Sequence, residues 1–451
     1  MQQQTHGKNL PPDRHRGRPG DHRSLTGFAQ ALELVHSRIR PLPAGRVPLE
    51  TALHRTLAGP VTSRVDSPTR DVSLKDGFAL RAGDTAPASQ EHPVTLRVGG
   101  SRFAGRLAAG EDGLEVPPGQ AVRVTSGAVL PRGADAVVGN EYCEETGAGV
   151  WVTRPAVPGM NILPRGTDIR AGQVLGRDGD LLTPGRIGWM AGGGVEEVSV
   201  YRLPRVALAA TGDEVVAPGV PLKPGQLYAS NLCTLAAWLG VFGVHSSTSV
   251  LPDRREELLR ALPAILEPAD ALLTSGGAWG SERDLVLQVL DELGWEKVFH
   301  RVRLGPGKAV GFGLLQDKPV FCLPGGPPSN EMAFLQLALP GVLRMCGRSA
   351  APFPSVEARL TEPVTGRNPE WTQIRRGRIR QNSEGTLRVA PYRPASRLQS
   401  MALADCLIIL PEGVDRLEAG DRVRVQLLAP TAFLGTGGAM LSDLDPVDPG
   451  P

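Results

Sequence analysis

Three stretches rich in glycine and hydroxyl side chains in the second half of the chain could bind an anion. They are Thr211–Glu214 (TGDE), Thr274–Asp284 (TSGGAWGSERD) and Pro324–Ser329 (PGGPPS). Glycine lets the backbone approach a ligand closely, and the N-terminus of a helix carries partial positive charge. Lys308, in the sequence GPGK, adds a mobile cation. The set suits a phosphate-bearing ligand, although any one loop alone is equally explained as a tight connection between a strand and a helix.

Carboxylates on these stretches indicate a metal ion. Glu214 lies on the first stretch and Asp284 ends the second. An acid beside a bound anion is unfavourable unless a cation lies between them, and Mg²⁺ accepts carboxylate, phosphate and water oxygens together. We therefore expect Mg²⁺ at Glu214 and Asp284. The alternative for either acid alone is capping of a helix N-terminus, which stabilises by roughly 0.5–2 kcal/mol.

The elements that position these loops alternate between strand and helix from Pro204 onward. The predicted strands are Val206–Ala210, Val244–Val250, Ala271–Leu273 and Val320–Leu323. The predicted helices are Leu232–Leu239 (capped by Ser230 or Asn231), Arg254–Leu266, Leu285–Leu293 and Asn330–Met345. This alternation predicts a mostly parallel sheet covered by helices on both faces, with ligands beyond the carboxyl ends of its strands. Two earlier helices are predicted at Leu25–Val35, with Ser24 as a possible cap, and at Val47–Leu57.

A second group of polar residues lies in segments with short alternating runs, which predict a β-rich module over about 66–166 and a small β domain over 356–428. Asp76 precedes Gly77, and from the residues alone this Asp-Gly pair is best explained as a hairpin turn. Thr125 and Ser126 end the predicted strand Ala121–Val124, and Asp168 follows Gly166-Thr167. Nothing local joins these residues to the glycine loops.

The composition limits the function classes. The 451 residues are 41% hydrophobic, 21% charged and only 4% aromatic, with a net charge of +2, so nothing in the overall balance points to nucleic acid. Five scattered cysteines have no metal-ligand spacing and are expected to be reduced thiols. We find no signal peptide and no apolar run of ~20 residues, and expect a cytoplasmic protein that does not contact membranes. Residues 1–23 and 431–451 are expected to be disordered tails.

Taken in order, these motifs resemble the molybdopterin molybdenumtransferase family, which includes MoeA and the E domain of gephyrin. The resemblance covers about 24–428, and many weak motifs in the right order make it specific. The motifs are Ser73–Ala79 (SLKDGFA), Arg123–Pro131 (RVTSGAVLP), Gly133–Val138 (GADAVV), Gly166–Ile169 (GTDI), Pro204–Val206 leading into Thr211–Glu214, Ser275–Gly277, Pro306–Lys308 and Leu323–Gly325.

The resemblance implies a multidomain α/β plus β fold and a homodimer. A central three-layer α/β domain like MoaB and Mog would comprise 24–43 and 191–350, and a small linking domain 44–62 and 165–190. A β-rich module would span 63–164, and a β-barrel-like domain 351–430. In this family the active site lies between the α/β domain of one subunit and the β-rich module of the other, which would bring Asp76 and Asp168 to the glycine loops.

The implied reaction is Mg²⁺-dependent insertion of molybdate into adenylylated molybdopterin with release of AMP. The resemblance implies catalytic roles for Asp76, Asp168, Glu214 and Asp284, with Glu214 and Asp284 also on the metal. Substrate contacts are implied for Thr125, Ser126, Thr211, Gly212, Ser275, Gly276, Gly277, Lys308, Pro324, Gly325, Pro327 and Ser329.

The chain departs from the family pattern at several positions, which are Lys75 for Met, Ala229 for an acid, Ala278-Trp279-Gly280-Ser281 for Val-Ser-Val-Gly, Gly305 for Lys and Gly326 for Asn. Arg303 or Lys75 is a candidate replacement for the lysine missing at Gly305. These changes fit a divergent paralogue. They leave open a non-catalytic molybdopterin carrier or scaffold, and a transferase specific for tungstate.

Overall fold

The computed structural model describes residues 25–105, 113–277, 285–349 and 351–428. The predicted tails and Asp284 lie outside these ranges. The chain forms two compact units, one of residues 44–201 and one in which the N-terminal segment to residue 43 joins residues 202 onward. None of the described helices is long and apolar enough to cross a bilayer.

A six-stranded sheet organises the unit that begins again at residue 202. Its strands, in spatial order, are His245–Leu251, Arg205–Thr211, Ala271–Ser275, Lys318–Leu323, Gly311–Leu315 and Glu296–His300. The first four run parallel and the last two are antiparallel additions. All four predicted strands are therefore confirmed as parallel neighbours, whereas Gly311–Leu315 and Glu296–His300 were not predicted.

Alternating burial explains why helices cover both faces of this sheet. Along one strand, Val206, Leu208 and Ala210 join one hydrophobic cluster, while Ala207 and Ala209 join another. Because successive side chains of a strand point to opposite faces, a strand that is apolar at every position needs cover on both sides. The helices of this unit are Phe28–Arg38, Ser230–Val241, Arg255–Leu266, Leu285–Glu292, Pro327–Ala333, Leu339–Met345 and Arg397–Leu403. The predicted three-layer α/β arrangement is confirmed.

Several helix starts differ from the predictions, including those of both helices for which a cap was predicted. The first helix begins at Phe28 after Gly27, so the predicted start at Leu25 was wrong. The helix Ser230–Val241 is preceded by Ala229 and has no side-chain cap, so the predicted capping by Ser230 or Asn231 was also wrong. The predicted helix Asn330–Met345 is present but contains a π-helical segment, Phe334–Ala338, which is fully buried.

The C-terminal part of this unit closes into a five-stranded barrel. Its strands are Ser355–Leu360, Thr372–Gln381, Leu387–Pro391, Cys406–Leu410 and Arg422–Leu427. The pairings run in a ring, because Thr372–Gln381 pairs with both Leu387–Pro391 and Cys406–Leu410, and Ser355–Leu360 and Arg422–Leu427 complete the circuit. The predicted barrel-like domain is confirmed. Shorter pairs in this unit are Val215–Val216 with Leu227–Tyr228, Val364–Thr365 with Arg416–Leu417, and Leu304–Gly305 beside the barrel strand that starts at Thr372.

The unit of residues 44–201 is β-rich, and it contains the segment 63–164 for which a β-rich module was predicted. Its six-stranded sheet contains, in spatial order, Ala136–Gly139, Gly77–Leu80, Gln120–Val124, Val94–Arg102, Gly149–Val152 and Cys143–Thr146. Three further pairs are Ala44–Pro48 with Glu197–Tyr201, Val61–Thr62 with Val174–Gly176, and Val72–Ser73 with Ile162–Leu163. Its helix is Pro184–Gly192, with Thr183 accepting a hydrogen bond at its N-terminus.

The predicted helix Val47–Leu57 was wrong. Ala44–Pro48 is a strand, followed by a single 3₁₀ turn at Leu49–Thr51. Of the leucines that suggested the helix, Leu49 and Leu57 are buried but Leu53 is exposed. The strand forms because Val47 pairs with Val198, about 150 residues later, and this tertiary pairing prevails over a weak local propensity.

Candidate functional site

The three glycine loops lie at the same edge of the α/β sheet. They follow the carboxyl ends of Arg205–Thr211, Ala271–Ser275 and Lys318–Leu323, which are adjacent parallel strands. A backbone hydrogen bond of 3.1 Å from the Gly276 amide to the Leu323 carbonyl joins two of the loops directly. This edge is where open α/β sheets bind ligands, so the predicted convergence of these loops is present in the fold.

Two asparagines fix the loops to one another. The Nδ2 atom of Asn231 donates to Ser275 Oγ at 3.0 Å and to the Gly325 carbonyl at 2.8 Å. The Nδ2 atom of Asn330 donates to the same Ser275 Oγ at 3.1 Å and to the Pro324 carbonyl at 2.8 Å. Both lone pairs of the Ser275 hydroxyl are thereby used, so its hydrogen remains available to donate to a ligand oxygen.

The glycines of the second loop are required by the backbone. Gly276 has φ +103° and Gly277 has φ +62°, a region that residues with a side chain rarely adopt. A Cβ at Gly276 would lie 2.9 Å from the Thr211 carbonyl oxygen, and one at Gly277 would lie 2.8 Å from Val286 Cγ2. The loop therefore has no room for a side chain at either position, because Gly276 contacts the end of the strand Arg205–Thr211 and Gly277 contacts Val286.

The first loop carries two groups whose side chains are free to bind a ligand. Thr211 Oγ1 is buried and, among the described residues, has no hydrogen-bond partner. Glu214 is exposed, and its carboxylate lies over Gly212, where a Cβ would be 2.7 Å from Oε2. Asp213, between them, accepts a 3.2 Å hydrogen bond from the Asp253 amide and so ties the loop to the next strand end.

Of the two predicted Mg²⁺ ligands, Glu214 is described and Asp284 lies outside the described residues. Within the described ranges no group of three or more His, Cys, Asp and Glu side chains could hold a metal. Mg²⁺ commonly takes one or two protein carboxylates and fills its octahedron with water and substrate phosphate oxygens. Glu214, exposed and without an ion-pair partner in the described part of the chain, fits such a ligand.

Lys308 lies on a loop that contacts the helix Pro327–Ala333, which begins within the third glycine loop. A Cβ at Gly307 would be 3.4 Å from the Ala333 amide nitrogen, and the Lys308 ammonium lies 5.2 Å from the centre of the Trp371 ring. Lys308 is half-buried, and this cation–π contact is worth about 0.5–2 kcal/mol. Among the described residues Lys308 has no ion-pair partner, so its charge can still attract an anion.

The two suggested replacements for the missing lysine are already engaged. Arg303 bonds to Glu412 at 3.2 Å and to the Leu25 carbonyl at 3.2 Å. Lys75 lies 3.4 Å from Glu141 Oε1. Each is thus paired with a carboxylate within its own unit.

In the other unit, three predicted residues come together. Asp76 Oδ1 accepts a 2.7 Å hydrogen bond from the Ser126 amide, and Ser126 Oγ lies 3.4 Å from the Leu74 carbonyl. Thr125 Oγ1 accepts from the Ala104 amide at 3.0 Å. The hairpin interpretation of Asp76-Gly77 was wrong, because Gly77–Leu80 pairs with Gln120–Val124 and Ala136–Gly139 instead of with the strand before it.

Asp168 is exposed on a loop that Asp66 holds in place. Asp66 accepts hydrogen bonds from the Ala171 amide at 2.8 Å and from Arg165 Nε at 2.6 Å. The bond from the Ala171 amide, followed by the bond from Arg165, lowers the pKa of Asp66. Asp66 is therefore a positioning residue for the loop that carries Asp168, a role that no local sequence pattern indicates.

A cavity of about 770 Å³ lies at the opposite, amino edge of the same strands. Three of the charged side chains in its wall are already paired, Arg38 with Glu296 and Asp270 with Arg202 at 2.7 Å. Because the ligand edge of an open α/β sheet is the carboxyl edge, this cavity is not the candidate site.

The sequence analysis did not identify Asn231 and Asn330 as the residues that join the glycine loops to one another. Each follows a serine in the first turn of a helix, a position where the pattern favours capping. The available signal was the repeated Ser-Asn pair, Ser230-Asn231 and Ser329-Asn330, beside two ligand loops. Only the register of the three strands directs both amides to Ser275.

Three family models match successive parts of the chain. They are the MoeA N-terminal region (domain I and II) over residues 26–194, a probable molybdopterin binding domain over 207–344 and the MoeA C-terminal region (domain IV) over 357–428. All three glycine loops lie within the second match.

Curated relatives and a solved structure match over most of their lengths. The chain is 32% identical to molybdopterin molybdenumtransferase 2 of Mycobacterium tuberculosis over 411 residues, covering 89% of this chain and 99% of the relative. It is 33% identical to the molybdopterin molybdenumtransferase of Bacillus subtilis, covering 85% and 89%. The crystal structure of the molybdopterin biosynthesis moea protein from Pyrococcus horikosii superposes with a TM-score of 0.74 at 32% identity, covering 89% of this chain and 99% of that one.

Proposed function

Because the chain belongs to the MoeA family, we propose that it is a molybdopterin molybdenumtransferase of molybdenum cofactor biosynthesis. The proposed reaction is insertion of molybdate into adenylylated molybdopterin, with Mg²⁺ required and AMP released. The relatives named for this activity align over most of this chain, which supports the assignment.

The single observation that carries the proposal is the arrangement around Ser275. Its hydroxyl accepts from two asparagines and retains its hydrogen for a ligand, and the buried Thr211 hydroxyl nearby lacks a described partner. Next to them are Gly276 and Gly277, whose lack of side chains lets a ligand approach the backbone. Donors fixed before the ligand arrives suit a pterin phosphate or pyrophosphate, and Lys308 supplies a cation for the same anion.

We assign Glu214 to Mg²⁺, together with Asp284 from the sequence. The ion, when bound, would neutralise the charge that develops as the phosphoanhydride breaks. The exposed carboxylate of Glu214, which has no ion-pair partner among the described residues, supports this role.

The test is release of AMP from adenylylated molybdopterin in the presence of molybdate and Mg²⁺. Glu214→Gln should raise the Mg²⁺ concentration needed for half-maximal rate by roughly tenfold or more, since charged interactions are worth about 1.5–3 kcal/mol. Glu362→Gln, which removes the same charge from an exposed barrel position, is the matched control. Tight pterin binding by the wild-type protein without AMP release would identify a carrier instead. Faster turnover with tungstate would identify a tungstate enzyme.

We further propose a homodimer in which Asp76 and Asp168 of one subunit serve the glycine loops of the other. Mixing Asp76→Ala and Glu214→Ala proteins after denaturation and refolding tests this. A shared site regenerates one intact centre in each mixed dimer, so about a quarter of wild-type activity should return from random pairing. A site contained within one chain would regain none.

A further inference from the structure

Four arginines form a continuous row across the outer surface of the C-terminal barrel. Arg380 is paired with Arg388 in antiparallel register, Arg388 with Arg359 in parallel register, and Arg359 with Arg422 in antiparallel register. All four side chains are exposed, and both residues next to Arg359 in the chain belong to the hydrophobic core of the barrel. Because side chains alternate between the two faces of a strand, the row lies on the face away from that core. Neighbouring strands are about 4.8 Å apart, so the row is about 14 Å long at the backbone.

The row lies at the far end of the barrel strand Thr372–Gln381. The near end of this strand, Thr372, pairs with Leu304 of the short strand Leu304–Gly305. Arg380 is eight residues further along the strand, which corresponds to roughly 25 Å at a rise of about 3.3 Å per residue. The row is therefore a surface distinct from the candidate site.

Three of the four arginines have no carboxylate partner that would offset their mutual repulsion. Arg380 bonds to Asp405 Oδ2 at 2.8 Å, whereas Arg359 donates to the Gly420 carbonyl at 3.0 Å. In the described part of the chain, Arg359, Arg388 and Arg422 form no ion pair. Like charges directly opposite one another destabilise a sheet. Protection of an exposed sheet edge does not explain them, because every strand of this closed barrel is paired on both sides.

The surroundings of the row favour a narrow anion over a broad one. Glu357 is two residues from Arg359 on the same face, opposite Arg424, and its exposed carboxylate would repel a membrane or a nucleic acid duplex laid over the barrel. The ring of Tyr392 lies 4.5 Å from the Arg378 guanidinium, which covers it and prevents it from stacking on a base. A narrow segment can lie along the row without covering Glu357.

We propose that this arginine row binds an extended acidic peptide segment of a partner protein. A guanidinium group binds a carboxylate through two parallel hydrogen bonds, and the anion removes the repulsion within the row. Alternate residues of an extended segment lie on one side and are about 6.6 Å apart. Three acidic residues at alternate positions therefore span about 13 Å, which matches the length of the row. This surface is independent of the proposed transferase reaction.

Fluorescence anisotropy with the full-length protein tests the proposal. The probe is a labelled synthetic peptide with three glutamates at alternate positions between serines. It should bind saturably at low ionic strength, and added salt should weaken the binding. The double variant Arg359→Gln with Arg388→Gln should bind roughly three- to tenfold more weakly, as expected for two exposed ion pairs. The control, Arg97→Gln with Arg132→Gln, removes two exposed arginines that have no ion pair among the described residues, and should bind as the wild type does.

Equal loss of affinity in both double variants, or no saturable binding by the wild type, would overturn the proposal. A second peptide with its three glutamates separated by long glycine-serine spacers should bind more weakly, and equal affinity for the two peptides would refute the match in length. Duplex DNA and phosphatidylserine vesicles should bind no better to the wild type than to the row variant. If either of them depends on the row and the peptide does not, the surface is not a peptide site.

Thermal unfolding at low ionic strength separates loss of binding from loss of folding. Arg388 lies between Arg380 and Arg359, so Arg388→Gln removes repulsion on both sides and should unfold no earlier than the wild type. Bound peptide should raise the unfolding temperature of the wild type and of the control variant, as mass action requires. Earlier unfolding of Arg388→Gln without peptide would contradict the repulsion on which the proposal rests.

Discussion

Substituting Gly276 by alanine should disrupt the glycine-loop edge more than any comparable change in the neighbouring loop. The new Cβ would lie 2.9 Å from the Thr211 carbonyl oxygen and 3.3 Å from Thr211 Oγ1. Both atoms belong to a buried strand end, which cannot move without disturbing the parallel pairing of Arg205–Thr211. The backbone at Gly276 also has φ +103°, where alanine is strained.

The two costs can be combined. Forcing a residue with a side chain into a left-handed backbone region costs about 1–2 kcal/mol, and overpacking at a rigid site costs about 1–3 kcal/mol. The sum is a loss of roughly 2–5 kcal/mol from the free energy of unfolding of this unit. Gly326 provides the control, because its φ is −70° and a Cβ there would meet nothing within 4 Å. Gly326→Ala should change stability by no more than about 1 kcal/mol.

Urea unfolding of the two variants and of the wild type, followed by circular dichroism, measures the difference. Amide hydrogen exchange of residues 271–277 then locates it, since protection of this strand end should fall in Gly276→Ala and stay unchanged in Gly326→Ala. AMP release should fall with it in Gly276→Ala. If both alanine variants unfold at the same urea concentration, the close approach of the loop to Thr211 is not what holds this edge together.

Three further predictions concern other regions. Because its folded pKa is depressed, Asp66 stabilises above the unfolded pKa of about 3.9, so the stability gap between wild type and Asp66→Asn should close as acid titration passes the folded pKa. Either Glu331→Gln or Arg376→Met should lower the free energy of unfolding by about 3–5 kcal/mol, whereas Glu331→Met with Arg376→Leu should recover most of it. Maleimide at pH 8 should label exposed Cys233 first and spare Cys322, because burial raises the pKa of the Cys322 thiol to about 12. Rapid labelling of Cys322 would contradict this prediction. A stability difference for Asp66→Asn that persists in acid, or a double variant of Glu331 and Arg376 that stays as unstable as the single variants, would contradict the other two.

The sequence predicted much of the α/β unit because its signals are local. Val206–Ala210 and Ala271–Leu273 are apolar at every position, which marks strands buried on both faces whatever their partners. The strands Gly311–Leu315 and Glu296–His300, which pair antiparallel with their neighbours, were missed, because short runs with glycine and lysine lack that signal. The helix predicted at Val47–Leu57 was wrong for a related reason. Leucines spaced by four are a local helix signal, whereas the strand that forms there depends on the distant pairing of Val47 with Val198.

For the candidate site too, some features could be predicted from local sequence and others depend on the tertiary structure. Residue types and motif order were enough to select the three glycine loops, Lys308 and Glu214, because a ligand loop needs glycine, hydroxyl groups and charge close together in the chain. Only the tertiary structure decided that Asn231 and Asn330 meet at one hydroxyl of Ser275. The partners of these hydrogen bonds are 44 and 55 residues apart, and their meeting depends on the register of parallel strands, which no local pattern encodes.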